Sequence, residues 1–273
     1  MMQGRLTPPR GRGIQFFPAD NWAAEFHLGQ SLGLSEIEWI FDLTDYQPNP
    51  LWTSAGRQEI KALIAKTGVK VNFICVDYFV KQPLTQASPA VQEKNATVLK
   101  ELLSAAREIG ARGLEIPCLD NSSIKSKTEE AELIQILKPS LEQARSHNLV
   151  LSLEMDYPPA KLCRLLAQLP EANFGITYDS GNSSGLGYDC AEELKSYGQA
   201  VFNVHIKDRL LGNGTKPLGT GSADFEKLFV GLKAKNYAGH YILQAARGAD
   251  GQEVATIKSQ LDFVTNYLNK YQL

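Results

Sequence analysis

Leu149-Val150-Leu151-Ser152-Leu153-Glu154 is an apolar run that ends on a carboxylate. Phe174-Gly175-Ile176-Thr177-Tyr178-Asp179 and Val201-Phe202-Asn203-Val204-His205 repeat the arrangement with an aspartate and an imidazole, and Tyr241-Ile242-Leu243-Gln244 repeats it with an amide. Side chains alternate along a strand, so Ser152 and Glu154, Thr177 and Asp179, Asn203 and His205, and Ile242 and Gln244 each share a face. If the runs are neighbouring strands, their polar ends meet at one point. Glu154, Asp179 and His205, with Gln244 as the fourth corner, then make a ligand set for a divalent metal. Oxygen-rich ligation with one imidazole suits Mn²⁺, Co²⁺, Zn²⁺ or Mg²⁺.

The same rhythm extends over the whole chain. Strands are expected near Met2 to Leu6, Glu36 to Ile40, Lys70 to Val76, Gly113 to Ile116, Val150 to Glu154, Phe174 to Asp179, Val201 to Ile206 and His240 to Gln244. Between them, apolar residues recur at helical spacing over Val91 to Ile109, Glu129 to His147 and Val254 to Leu268, and Gly68 and Gly110 stand where helices end. Eight strands each followed by a helix, in about 250 residues, is the order and size of a (β/α)₈ TIM barrel. No linker divides the chain, so one α/β domain over 1–273 is expected. The longer loops, Asp42 to Gly56, Asp77 to Ala90, Leu119 to Thr128 and Arg209 to Asp224, all follow strands and belong on the C-terminal face, where barrel active sites lie.

Composition narrows the partners. A chain of 273 residues with 43% hydrophobic content can bury a sizeable core, and a net charge of −2 lacks the basic footprint of a nucleic-acid binder. The start has no apolar stretch behind its positive charges, and no run reaches the ~18 apolar residues that span a bilayer. A cytoplasmic protein with a small soluble partner, no nucleic acid and no membrane is the expectation. Cys75, Cys118, Cys163 and Cys190 have no zinc-finger or redox spacing and read as small hydrophobes.

Several motifs bear a closer likeness. Leu153-Glu154-Met155-Asp156, Tyr178-Asp179-Ser180-Gly181-Asn182, Val204-His205-Ile206-Lys207-Asp208, the run Gly219 to Phe225, the strand at 241–244 and, weakly, Glu36-Ile37-Glu38-Trp39 carry it. With these motifs the chain resembles the xylose-isomerase-like TIM-barrel family of sugar and sugar-phosphate isomerases and epimerases, nearest its pentulose- and hexulose-phosphate branch. The resemblance implies a divalent metal on Glu154, Asp179, His205 and Gln244 that grips two adjacent oxygens of a ketose and acidifies the neighbouring C–H. It also implies a homo-oligomer, dimer or tetramer.

The sequence departs from the family at Gln244, where a glutamate is usual. An amide oxygen can ligate a metal but brings no charge and cannot act as a base at neutral pH. Epimerisation at carbon 3 needs an acid or base on each face of the enediolate, whereas a 1,2 proton shift needs one. Glu154 is thus the expected catalytic base, and 1,2-isomerisation of a ketose or ketose phosphate is favoured over two-base 3-epimerisation. The alternatives are a non-catalytic carbohydrate-binding barrel and a polyol or ketose dehydratase of the same family. A three-metal DNA-repair endonuclease of related fold is disfavoured, since of four histidines only His205 is in register with the carboxylates.

Four further residues are candidate substrate contacts. Lys207 and Arg209 lead into a loop with Gly212, Gly214, Gly219 and Gly221, where cations beside glycine-freed amides can hold a phosphate. Glu115, before Pro117 at a strand end, is placed to touch sugar hydroxyls, and Arg247 to reach the mouth from the last loop. Glu38 and Glu115 are also candidates for the missing acid, against ion pairing with Arg5 or Arg112. Trp22, Trp39 and Trp52 are expected to pack rather than to wall a sugar pocket.

Overall fold

The computed structural model describes residues 1–44 and 46–273, so the loop 42–56 is described apart from residue 45. Its strands are β1 (Trp39–Ile40), β2 (Phe73–Cys75), β3 (Gly113–Cys118), β4 (Val150–Met155), β5 (Phe174–Asp179), β6 (Val201–Ile206), β7 (Asp208–Arg209), β8 (Thr215–Lys216) and β9 (His240–Leu243). The helices are α1 (Trp22–Ser31), α2 (Ser54–Thr67), α3 (Tyr78–Lys81), α4 (Pro89–Ile109), α5 (Lys127–Ser146), α6 (Pro159–Gln168), α7 (Ser180–Leu186), α8 (Cys190–Tyr197), α9 (Phe225–Ala234) and α10 (Glu253–Tyr271).

Seven strands pair in parallel in the order β1-β2-β3-β4-β5-β6-β9. The sheet curls until its edges meet across one residue. Met2 forms a parallel bridge with Glu38, and its N–H donates to the Leu243 carbonyl at 3.0 Å. The architecture is a curled parallel sheet ringed by helices, consistent with a (β/α)₈ barrel. β7 and β8 form a small antiparallel hairpin in the loop after β6.

Helix ends follow local chemistry. α4 starts with Pro89, whose missing N–H is no loss in the first turn, and stops at Gly110, whose φ of 78° suits a residue without Cβ. Ser126 and Glu129 close a capping box at the start of α5. The inward stripe of α4, Val98, Leu99, Leu102, Leu103 and Ala106, is buried against the sheet side of the core. Trp39 packs between Phe17 and Trp22, each with ring centroids 5.5 Å away, and Trp52 packs on Phe41, so the tryptophans serve the core as expected.

The strand expected at Met2 to Leu6 is reduced to the Met2 bridge. Gly4 turns the chain with a φ of +82°, and the following donors go to a side chain instead of a neighbouring strand. The buried Glu25 carboxylate on α1 accepts from the N–H of Gly4 at 2.8 Å, the N–H of Leu6 at 3.0 Å and the Thr7 hydroxyl at 2.8 Å. Once those groups are satisfied there, no ladder is left to form. The second and third strands are likewise shorter than expected, with an isolated Glu36 to Lys70 bridge below the ladder of β1 and β2.

One irregularity positions the site. The β5–β6 register shifts between Ile176 and Thr177: Ile176 pairs with Val201 but Thr177 pairs with Asn203, so Phe202 is an extra residue in β6. Beyond this bulge Asp179 stands level with His205.

Candidate metal centre

Glu154 is the last residue but one of β4, Asp179 ends β5 and His205 is the last but one of β6; all three are buried. One donor atom from each lies within 4.8 Å of the others. Gln244 follows β9 directly and, with Glu154, lines a cavity of about 500 Å³ at the mouth of the barrel. The sequence-predicted quartet thus occupies four successive strand ends on one side of that mouth.

His205 is fixed by its far nitrogen. Nε2 lies 3.0 Å from Glu38 Oε2, and Asn203 Nδ2 donates to both Glu38 oxygens at 3.2 and 2.9 Å. Holding Nε2 on a carboxylate leaves Nδ1, 3.4 Å from Glu154 Oε2, as the nitrogen that can ligate. Nδ1 has no hydrogen-bond partner. Burial disfavours the charged ring, but Glu38 and Glu154 on its two sides outweigh this and raise its pKa well above the usual range. Glu38, weighed as the missing acid or as a partner of Arg5 or Arg112, instead anchors the histidine.

Gln244 is anchored in the same manner. Its Nε2 donates to Gln15 Oε1 at 3.0 Å, and Gln15 Nε2 in turn donates to Asp77 Oδ2 at 2.8 Å. A carboxylate accepts and does not donate, so it directs the Gln15 amide and through it the Gln244 amide. Gln244 Oε1 is left buried without a partner. Two carboxylates, an orphaned imidazole nitrogen and an orphaned amide oxygen fit a divalent cation in kind and number.

Neighbouring residues hold the carboxylates. Asn182 Nδ2 donates to Glu154 Oε1, and the Asn182 N–H donates to Asp179 Oδ1 at 2.7 Å. Lys207 Nζ lies 3.2 Å from Asp179 Oδ2, an approach that Gly181 permits, because a Cβ there would lie 2.6 Å from Lys207 Cγ. Arg209 Nη1 donates to Asn182 Oδ1 at 3.0 Å. Lys207 and Arg209 both line the cavity.

Glu115 and Arg247 lie elsewhere. Glu115 is fully buried, level with Cys75 and Ser152 in the sheet and below Glu154, outside the cavity lining. Burial, then the charge of Glu154, hold its carboxyl well above the usual range. Arg247 donates to the carbonyls of Ile14 at 2.8 Å, Thr7 at 3.0 Å and Gly4 at 2.8 Å, clamping the first loop. The glycine-rich loop also differs from expectation: the buried Asp208 carboxylate takes the N–H groups of Gly219, Gly221 and Ala223. Those amides therefore face an internal anion and not a substrate phosphate.

Sequence reasoning did not single out Gln15, Asp77, Asn182, Asp42 or Lys81 on the cavity wall. Asp77 had a signal, since Phe73, Cys75 and Asp77 alternate as Ser152 and Glu154 do. Gln15 had none.

Together the parallel barrel and this donor set at its mouth define a metal-site-bearing enzyme of the sugar and sugar-phosphate isomerase and epimerase class. The chain belongs to the Xylose isomerase-like TIM barrel family, which matches residues 26–267. The L-ribulose-5-phosphate 3-epimerase UlaE of Escherichia coli K12 is 27% identical over 251 residues, covering 89% of this chain and 88% of that protein. The crystal structure of E. coli 3-keto-D-glucoside 4-epimerase, YcjR, has a TM-score of 0.73 at 20% identity, over 92% of this chain and 96% of that one. That of D-psicose 3-epimerase with D-tagatose from Clostridium cellulolyticum H10 also has a TM-score of 0.73, at 13% identity, over 91% and 94%. The two structures are alike in fold.

Proposed function

We propose that the protein enolises a ketose or ketose phosphate in a divalent-metal-dependent isomerisation or epimerisation, with Glu154 taking the proton beside the ketone. The observation that carries this reading is the pair of buried partnerless atoms, His205 Nδ1 and Gln244 Oε1, each anchored at its other end, beside a cavity that Glu154 also lines. A divalent ion on Glu154, Asp179, His205 and Gln244, of the Mn²⁺, Co²⁺, Zn²⁺ or Mg²⁺ kind, would supply the positive charge that acidifies the C–H next to the ketone. Asn182 holds the Glu154 carboxylate in one orientation, and Lys207 and Arg209 offer cations to sugar hydroxyls or a phosphate. A proton removed and returned by Glu154 alone gives a 1,2 shift; inversion at carbon 3 requires a second acid on the other face. Four unpaired cysteines accord with a reducing, cytoplasmic setting.

The test is deuterium incorporation from D₂O into L-ribulose 5-phosphate and D-tagatose, with each of the four ions added in turn. Metal-dependent labelling beside the ketone is expected, falling about 10²- to 10⁴-fold in Glu154→Gln at saturating metal. Absence of labelling in both ketoses with every ion would sink the reading.

A further inference from the structure

We propose that Asp77 is the second proton-transfer residue of this site and supplies, from a different strand, the acid that Gln244 lacks, so that the reaction is inversion at carbon 3 of the ketose. The inference rests on the enolisation reading above and adds to it the identity of the group on the opposite face.

The argument begins with placement. Glu154, Asp179, His205 and Gln244 lie at or beside the ends of β4, β5, β6 and β9, four adjacent strands on one half of the rim. Asp77 follows β2 on the other half and lines the same cavity. Around the rim β2 is separated from β4 by β3 alone, so a ketose held at the ligand-bearing half has Glu154 on that wall and Asp77 beyond its edge, approaching the sugar from another direction. Gln15 ties the two halves together by its hydrogen bonds of 2.8 Å to Asp77 and 3.0 Å to Gln244, which fixes the Asp77 carboxylate within two hydrogen bonds of the amide it complements.

The other acids that line the cavity outside the ligand set are placed differently. Asp42 pairs with Lys81 at 3.2 Å and accepts the Thr44 N–H at 2.7 Å. Asp156 accepts the Ser123 hydroxyl at 2.6 Å, and Asp120 is exposed at the rim. Asp77 has no ion-pair partner among the described residues. Its contacts are neutral donors: the Gln15 amide and, at 3.4 Å, the Cys75 thiol. Burial, with the charges of Asp42 and Glu154 acting in the same direction, pushes its carboxyl up to about 6 despite those two hydrogen bonds. An acid in that range can both give and take a proton near neutral pH.

The step balances. Glu154 removes the proton from carbon 3, the C–H electron pair forms the C2–C3 double bond, and the charge passes to the oxygen on C2. Protonated Asp77 then delivers its proton to the opposite face of C3 as the ketone re-forms. Glu154 ends protonated and Asp77 ionised, exchange with water resets both, and the reverse reaction exchanges their roles.

The experiment uses Mn²⁺-loaded full-length protein with L-ribulose 5-phosphate and D-tagatose in D₂O, comparing wild type with Asp77→Asn and Asp77→Ser, each shown to melt as wild type and to bind Mn²⁺ within about threefold by calorimetry. Wild type is expected to label C3 and form the C3 epimer. The variants are expected to keep C3 labelling in the starting ketose while epimer formation falls by at least about 100-fold. Epimer formation within about threefold of wild type, loss of labelling and inversion together, or a large loss of Mn²⁺ affinity would each overturn the role of Asp77. So would a wild type that labels its substrate without inverting C3, which leaves enolisation intact. A wild type that labels neither ketose removes the enolisation reading itself.

Discussion

At position 244 an amide replaces one negative charge with a pair of N–H bonds, and the structure shows where those bonds go. Gln15 receives one of them, and the amide oxygen is left buried without a partner. Gln244→Glu adds a charge at the metal but sets its second oxygen against Gln15 Oε1, so Gln15 must turn and release Asp77. Mn²⁺ affinity is expected to rise roughly tenfold or more in this variant, a gain of about 1.4 kcal/mol. Unchanged affinity by calorimetry would put residue 244 outside the metal shell. The gathering of Glu154, Asp179, His205 and Gln244 at one mouth was legible because each closes an apolar run of known parity. Asp77 obeys the same parity but lies one residue past Val76, where the strand is expected to end. Gln15 was not legible at all: it reaches Gln244 from a long loop, 229 residues away in the chain.

At the scale of elements, the long helices were readable from spacing and caps, whereas the first strand was not. What stopped it is Glu25, a residue of a different element that takes the donors a strand would have used. Glu25→Gln puts an NH₂ where one of those N–H groups now donates. It is expected to cost about 1–3 kcal/mol of stability, read from the urea midpoint at constant slope. A loss below about 0.5 kcal/mol would show that the turn holds without the carboxylate. The loop after β6 teaches the same lesson. Glycines beside Lys207 and Arg209 suggested an anion site, and the anion proves to be Asp208 of the chain itself. Local pattern reveals which amides are available but not which acceptor reaches them first.

For the whole molecule, the raised acids set a direction for stability with pH. Burial lifts the Glu25 carboxyl to about 7 and that of Asp77 to about 6, so the folded chain holds these protons more tightly than the unfolded one. Their stabilising contribution is complete below the ordinary carboxylate range and is lost as pH rises towards 7. His205, raised by its two glutamates, contributes below the ordinary imidazole range and loses that contribution as pH passes its folded value. Glu36 acts in the opposite sense: His240 draws its pKa down against burial, so its contribution is present above the ordinary carboxylate range and is lost only in acid. Metal-stripped protein in chelator is therefore expected to be more stable at about pH 5 than at about pH 8, by at least about 2 kcal/mol. An equal or higher urea midpoint at the alkaline value would refute this.

The division of the rim has an evolutionary consequence. Every proposed cation ligand comes from the stretch between Glu154 and Gln244, while Gln15 and Asp77, the proposed relay and second acid, come from the first third of the chain. The two contributions can therefore diverge separately. A hybrid that keeps the later staves and borrows the earlier ones from a related barrel would retain its ion while changing the stereochemical outcome, and a lineage could move from one sugar transformation to another without rebuilding its metal site.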